Sequence, residues 1–489
     1  LYGSSVFRYT IKTVSILHVL IRNVQMALKM GDIEARDLDN LFHPWTHLGQ
    51  HKNNGPMVLE RAKGVYMYDN HGKQYLEGLA GLWCTALGYG NEELAQAAYD
   101  QIKQLSYAQL FASKSYEVGI ELAEKVNTLI PIGKSRVLFG NSGSDANDTQ
   151  IKLAWYYNNV LGRSEKKKII SRVKAYHGIT LAAGSLTGLP PAHNGFDLPI
   201  REDRFLYTDT PHHYRGAEAG ESETDFASRL AANLENMIQE EGPETIAAFI
   251  AEPIMGAGGV ILPPQTYFKK IQEVLNKYDI LFIDDEVICG FGRTGSPFGF
   301  QSYNLAPDSV SVAKAITSAY QPLSAVVVKE EIYQAIADAS DKMGIFGHGY
   351  TWGGHPVSCA VALKTLEIYE RDKIFDKAAS LAPQFQARLA KFSDHPMVGE
   401  ARGMGLIGAV ELVSNKTRKS PFEAPGKVGG QVLNFCHANG LICRAIGDVI
   451  AFCPPLIITS EQIDELFDKF EKAMSQSLDW AKKEGILLD

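Results

Sequence analysis

The stretch from Leu281 to Lys314 constrains this chain more than any other. It opens on a short apolar run, Leu281-Phe282-Ile283, that meets the acids Asp284-Asp285-Glu286. It closes on Ser309-Val310-Ser311-Val312-Ala313, a β-branched run that delivers Lys314. Runs of this kind read as parallel strands buried on both faces. In open α/β sheets, ligands sit at the C-terminal ends of such strands. Two neighbouring strand ends would then offer a carboxylate and a lysine to one crevice. That pair suits pyridoxal phosphate, which takes a lysine for its Schiff base and an acid to keep its pyridine nitrogen protonated.

An apolar strand ending in acids also serves nucleotide hydrolases, which hold magnesium there. Those enzymes need a phosphate loop of the form G-x-x-x-x-G-K-[ST]. The nearest match runs from Thr128 to Ser135. It begins on threonine, and Arg136-Val137-Leu138-Phe139 after it reads as strand, not helix. The hydrolase reading is set aside.

The rest of the chain supports a doubly wound sheet. Lys168 to Val173 and Ile246 to Ala251 read as strands, the second closed by Glu252-Pro253. Thr224 to Gln239 reads as an amphipathic helix with Phe226, Leu230, Leu234 and Met237 on one face, ended by Gly242-Pro243. Gln265 to Tyr278 reads as another, with Phe268, Ile271, Leu275 and Tyr278 inward. Leu323 to Val328 reads as a buried strand. Alternating strands and helices predict an α/β fold with a mostly parallel sheet. Met404 to Leu412 and Ile442 to Cys453 read as strands of a smaller domain, and Thr459 with Gln462 as the capping box of a last helix.

At 489 residues and 45% hydrophobic content the chain has ample core for more than one domain. A net charge of −8 and the absence of a basic block argue against nucleic acid as a partner. The cysteines (84, 289, 359, 436, 443 and 453) form no C-x-x-C pair, which argues for a reducing compartment and against zinc. No apolar run approaches the length of a membrane span. Residues 1–30 carry basic residues and no acid, which reads either as an organelle transit peptide or as an extension before Met26 or Met30. The expected compartment is the cytoplasm, with the mitochondrial matrix as the alternative if this segment is a transit peptide.

Several segments carry chemistry of their own. His43, His47 and His51 recur every four residues and could line one helix face to bind a metal, but Pro44 and Gly49 speak against that helix, so no metal site is expected. Val65 to Leu76 reads as a hairpin around Gly72. Gly78 to Gly90 is glycine-rich around Trp83. Gly140-Asn141-Ser142-Gly143-Ser144-Asp145 places small residues at a strand-to-helix junction, a phosphate site that needs no lysine. Tyr176 follows the strand from Lys168 and could stack on a planar ring. The glycine-rich loop Gly347 to Gly354 could hold a phosphate too.

From about Leu41 onward the chain resembles the class III, fold-type-I pyridoxal phosphate aminotransferases, most of all their ω-amino acid or amine–pyruvate branch, which includes 4-aminobutyrate–pyruvate transaminases. The resemblance rests on Ala80-Gly81-Leu82-Trp83-Cys84, Asn141 to Asp148, Asp285 to Gly295, Gly354-His355-Pro356-Val357 and Arg402-Gly403-Met404-Gly405. It implies a large doubly wound, mostly parallel sheet domain and a smaller α+β domain. We divide the chain into the extension 1–30, a segment 31–80 belonging to the small domain, the cofactor domain 81–345, and the small domain 346–489.

The resemblance also implies roles. Lys314 would form the Schiff base and shuttle the proton. Asp285 would pair with the pyridine nitrogen, Val287 would pack beneath the ring and Tyr176 above it. Gly143 and Ser144 would bind the phosphate, joined by the partner subunit's Thr351, so a homodimer (or dimer of dimers) with shared sites is implied. Glu252 joins the cofactor-binding set. Trp83, Phe111 and Tyr176 would line the substrate pocket, and Arg444 would bind the keto acid's carboxylate. The implied activity moves an amino group from a primary amine or ω-amino acid to pyruvate. Related class III chemistries are the alternatives: an ornithine, diamine or 4-aminobutyrate–2-oxoglutarate aminotransferase, an aminomutase or a racemase. A cofactor-binding scaffold without activity is disfavoured, because Lys314 and Asp285 are both present. The chain departs from the family's usual pattern at Asp145 (often Glu), Asp284 (usually small), Trp352 and Gly353 (often Tyr and Ser), and Ala319 and Ser324 (usually Gly).

Overall fold

The computed structural model describes residues 31–487. The extension 1–30 lies outside them. The chain divides into two compact units. The described part of the first is 31–62 with 67–74, and it holds the helices Asp32–Asn40 and Leu48–Asn54. The second, 63–66 with 75–489, carries everything that follows.

The second unit is organised on a sheet of seven strands. They are β1 (Ser135–Gly140), β2 (Lys168–Arg172), β3 (Phe205–Thr208), β4 (Ile246–Ala251), β5 (Leu281–Asp285), β6 (Ser309–Val312) and β7 (Ser324–Lys329), in the spatial order β1-β7-β6-β5-β4-β2-β3. Strands β3, β2, β4, β5 and β6 run parallel, while β7 runs antiparallel to both β1 and β6. Every residue of β4 and β6 is buried.

Alternate side chains explain that burial. Ile169, Ala248, Ile250 and Ile283 pack with Ile151 and Ala154 of the helix Gly143–Val160. Ile170, Phe249 and Phe282 point the other way, into the core that holds Phe226 of Glu223–Glu241 and Phe268 and Ile271 of Tyr267–Lys277. A strand covered on both faces must bury any polar side chain it carries, and in β6 Ser311 Oγ accepts from Gln150 Nε2 at 3.1 Å. The doubly wound, mostly parallel sheet expected from the sequence is the one observed. On Glu223–Glu241 the deepest position after Leu234 is Ile238 rather than Met237.

A second sheet holds Val398–Met404, Ile407–Leu412, Val449–Phe452 and Arg444–Ile446. Here the structure corrects two expectations. Met404 to Leu412 is not one strand, because the chain turns at Gly405, whose φ is +57°. A Cβ there would lie 2.4 Å from the Thr294 carbonyl carbon, so only glycine fits. Ile442 to Cys453 likewise folds back at Gly447. The last helix, Ser460–Lys483, starts on the expected Thr459–Gln462 capping box and buries Ile463, Leu466, Phe467, Phe470 and Met474.

Leu76 pairs in parallel with Leu441. All six cysteines are free. Among the described residues no helix is long and apolar enough to cross a membrane.

Candidate active site

Register brings the chemistry to one edge. Asp284 pairs with Ala251 across β4–β5, and Asp285 with Ser311 across β5–β6. Glu252, Asp285 and Lys314 thus follow adjacent strands at their C-terminal ends. Gly140 ends β1 at the same edge, because Ser324 opposite it begins the antiparallel β7.

Lys314 sits just past β6 with φ +50°, a left-handed conformation that a lysine adopts only where the surroundings impose it. It opens a short 3₁₀ turn, Lys314–Thr317. Its ammonium makes no hydrogen bond or ion pair among the described residues. Burial lowers its pKa below the ordinary lysine range, and the charges of Asp285 and Glu252 oppose that fall. A half-buried amine without a partner is costly unless something completes it.

Asp285 is 3% exposed and held by three donors. Asn147 Nδ2 reaches its Oδ2 at 2.7 Å, His177 Nδ1 reaches the same oxygen at 2.8 Å, and Val287 N reaches Oδ1 at 3.1 Å. Neither Asn147 nor His177 is assigned a role from the sequence alone. Two signals were available: Asn147 stands four residues after Gly143, one helical turn on, and His177 follows Tyr176 directly.

Gly143 and Ser144 open the helix Gly143–Val160, and their backbone N–H groups have no acceptor among the described residues. Ser142 caps that helix in a box with Asp145. A Cβ on Gly143 would come within 2.9 Å of Val287 Cγ1, so the glycine lets the residue after the acidic strand close against the helix start. Ser144 Oγ accepts from Ile179 N at 3.1 Å. Glu252 is buried and accepts from Tyr176 N at 3.0 Å and from Gly256 N at 3.1 Å, so it fixes the backbone that carries the Tyr176 ring. Arg444 is half-buried, and its guanidinium has no hydrogen bond or ion pair among the described residues. Burial lowers its pKa, and Tyr176 is the group that opposes this. The two side chains are therefore near enough to interact electrostatically.

Three further expected residues have other surroundings described. Thr351 is exposed, and its carbonyl accepts from Tyr107 Oη at 2.9 Å. Phe111 is 44% exposed and lies against Gly349, where a Cβ would approach its ring to 2.5 Å. Trp83 is 3% exposed, packed in the main core with φ +66°.

The departures at Asp145 and Ser324 explain each other. Ser324 Oγ donates to Asp145 Oδ1 at 2.9 Å, and the same carboxylate accepts from Asn141 N and Ser142 N. A side chain shorter than glutamate leaves room that the serine hydroxyl fills. Ala319 holds φ +64°, a conformation that glycine adopts without strain.

Asp284 has the opposite character. It is fully buried, and beyond the neighbouring carboxyl of Glu286 neither of its oxygens has a hydrogen-bond partner. Burial, then the neighbouring Glu286, raise its pKa well above the usual carboxylate range. Burial also pushes Glu286 up to about 7. Folded pKa values above unfolded ones mean that the native state holds protons the unfolded chain has released. Stability is then full below about pH 4 and falls as pH rises towards 7. An unsatisfied buried carboxyl costs ~1–3 kcal/mol. Asp284→Ala is therefore expected to raise the thermal midpoint, with a larger gain near pH 8 than near pH 5. Calorimetry at the two pH values checks it, and an equal or smaller gain at the higher pH would show that Asp284 has another partner.

The residues present fit pyridoxal phosphate. An unpaired lysine, a carboxylate braced by three donors and a helix start with bare N–H groups match its aldehyde, its ring nitrogen and its phosphate. The buried Asn147 Oδ1 and His177 Nε2, without hydrogen-bond partners, mark the same region as polar.

Comparison with known proteins agrees. The aminotransferase class-III model matches residues 48–474. Two tomato (Solanum lycopersicum) proteins are similar along most of their length. Gamma aminobutyrate transaminase 3, chloroplastic, is 49% identical, with 91% of this chain and 87% of the relative covered. Gamma aminobutyrate transaminase 1, mitochondrial, is 48% identical, covering 90% and 85%. The crystal structure of the omega transaminase from Pseudomonas jessenii in complex with PMP superposes with a TM-score of 0.90 at 49% identity, covering 92% of this chain and 99% of that one. With fold, edge geometry and family model in agreement, the chain belongs to the class-III aminotransferases and is a pyridoxal phosphate-dependent enzyme.

Proposed function

We propose that this enzyme moves an amino group from a primary amine or ω-amino acid to pyruvate by a ping-pong mechanism. Arg444 carries the reading. A half-buried guanidinium without an acid to pair with, beside Tyr176, is suited to a carboxylate that is present in one half-reaction and absent in the other. The omega transaminase and gamma aminobutyrate transaminase relatives support a donor whose amine lies away from any α-carboxylate.

Bound pyridoxal phosphate would supply the electron sink for the bond broken at the substrate carbon. Lys314 would hold the cofactor covalently, and its Nζ, made less basic by burial, would take the proton from that carbon and hand it on. Asp285 would face the ring nitrogen, steadied by Asn147 and His177. Val287 and Tyr176 would sandwich the ring, with Glu252 fixing the Tyr176 backbone. The N–H groups of Gly143 and Ser144 would bind the phosphate. Trp83 and Phe111 would wall the substrate pocket.

A homodimer suits the surface. Tyr107, Leu110, Phe111 and Trp352 are exposed by 43%, 36%, 44% and 65%, around the loop that carries Thr351. A patch of large exposed apolar side chains marks an association surface. It leaves the partner subunit's Thr351 available to the phosphate. One tomato relative is named chloroplastic and the other mitochondrial, which favours an organelle, the mitochondrial matrix among them, over the cytoplasm.

Arg444→Ala tests the substrate reading. A shielded guanidinium–carboxylate contact is worth about 1.5–3 kcal/mol, or roughly 10- to 100-fold in binding. KM for pyruvate should rise by that factor, while KM for a simple alkyl or aryl amine stays nearly constant. Equal damage to both half-reactions would make Arg444 a structural residue. Good turnover with 2-oxoglutarate and none with pyruvate would favour the 4-aminobutyrate–2-oxoglutarate alternative.

A further inference from the structure

We propose that Asp37, His43 and His51 form a binding site for one divalent transition cation, with zinc as the representative. The site lies wholly within the first unit, and the aminotransferase chemistry makes no use of it.

The local chain explains how it forms. The helix Asp32–Asn40 stops at Leu41, and Pro44 with Trp45 at φ +52° turns the chain before the helix Leu48–Asn54 begins. Pro44 does forbid a single helix through the three histidines. The turn then does what a helix could not: it brings His43 and His51 to the same carboxylate. His43 Nε2 lies 2.8 Å from Asp37 Oδ2, and His51 Nε2 lies 3.4 Å from the same oxygen. The two imidazoles stand 4.2 Å apart between centroids, tilted by 48°. His47 is diverted, because its Nδ1 accepts from Gln50 N at 3.2 Å and caps the second helix.

The spacing suits a metal. All three donor atoms lie within 4.8 Å of one another. Ligands at about 2.0–2.2 Å from a tetrahedral cation stand roughly 3.3–3.5 Å apart. The Asp37–His51 separation already has that value, and the Asp37–His43 separation needs to open by about half an ångström. His51 Nε2 is buried and makes no hydrogen bond, its one polar contact being the Asp37 oxygen at 3.4 Å, so its hydrogen-bonding capacity is left unused. The side chains of Asp37, His43 and His51 are 14%, 28% and 11% exposed, which leaves an approach past His43. Two imidazoles and one carboxylate select zinc and its transition-metal neighbours over calcium or magnesium, with one position left for water.

A second cluster, His212 with Glu400 and Glu411, fails the same inspection. Arg402 Nη1 already sits 2.6 Å from Glu400 and 2.7 Å from Glu411, in the place a cation would take. Among the described residues no lysine or arginine pairs with Asp37. A metal there would clasp the two helices of the first unit and stabilise the arrangement through binding.

The test uses the full chain with cofactor bound, treated with a chelator and titrated with zinc by calorimetry. One saturable site per chain is expected. Asp37→Asn, His43→Gln and His51→Gln should each weaken it by about tenfold or more, and His47→Gln should leave it unchanged. Zinc-edge absorption of the wild-type chain should report nitrogen and oxygen ligands without sulfur, a readout that needs no variant to fold. Zinc should raise the wild-type thermal midpoint and not that of the variants. The proposal is overturned by equal zinc affinity in wild type and variants, by sulfur at the zinc edge, or by variants destabilised to the same extent with and without zinc. That last result would reduce the cluster to a hydrogen-bonded staple.

Discussion

Lys314→Ala is expected to leave no measurable transamination, a loss of roughly 10⁴-fold or more. In the proposed mechanism the lysine would serve twice, as the covalent holder of the cofactor and as the acid–base group that moves the proton, and each use is worth orders of magnitude. The structure shows why no neighbour can stand in for it. The amine follows directly on β6, in a backbone conformation imposed on it, and is half-buried beside Asp285. Phosphate contacts at Gly143 and Ser144 do not involve this side chain, so the variant should still bind pyridoxal phosphate without fixing it covalently. Borohydride reduction of the wild-type enzyme followed by peptide mapping should place the label on Lys314. A label on another lysine, or an alanine variant that still turns over, would refute the assignment.

Asp285→Asn should lower kcat by about a hundredfold or more, the usual consequence of removing one preorganised charge. The local hydrogen bonds sharpen the expectation. Oδ2 accepts from both Asn147 and His177, and Oδ1 from Val287 N. An amide has only one acceptor oxygen, so its NH₂ group must confront at least one of these donors. Geometry and charge are lost together. Asp284→Asn is the control: its carboxyl has no hydrogen-bond partner beyond the neighbouring carboxyl of Glu286, and its raised pKa favours the neutral form. That variant should keep turnover within a fewfold of wild type. The reverse ranking would mean that the neighbouring carboxyl does the chemistry.

The strand ends were legible because burial on both faces favours short apolar or β-branched runs, and charges gather where those runs end. Lys314 stood out as the first charge after its run, and Asp285 as one of the acids that close the other. The hairpins at Gly405 and Gly447 were not legible, since each apolar stretch was long enough for one strand and only the packing against Thr294 shows why the first must turn. Asn147 and His177 were visible as letters without a role. Their function depends on a helix and a loop, distant in sequence, meeting one carboxylate oxygen. Asp145 and Ser324 each looked like a simple departure, yet the hydrogen bond between them makes them one change.

The sequence by itself determined the alternation of elements, the sheet's doubly wound character, the strand-end acid and lysine, and the capping box at Thr459. Those are local properties: periodicity, caps and composition act over a few residues. Only the tertiary structure decided which side chains complete Asp285, which arginine is left without a partner, and that His43 and His51 converge while His47 turns away. These depend on register between strands and on the path of a turn. There a shift of one residue redirects every side chain, and nothing in the local pattern records the direction.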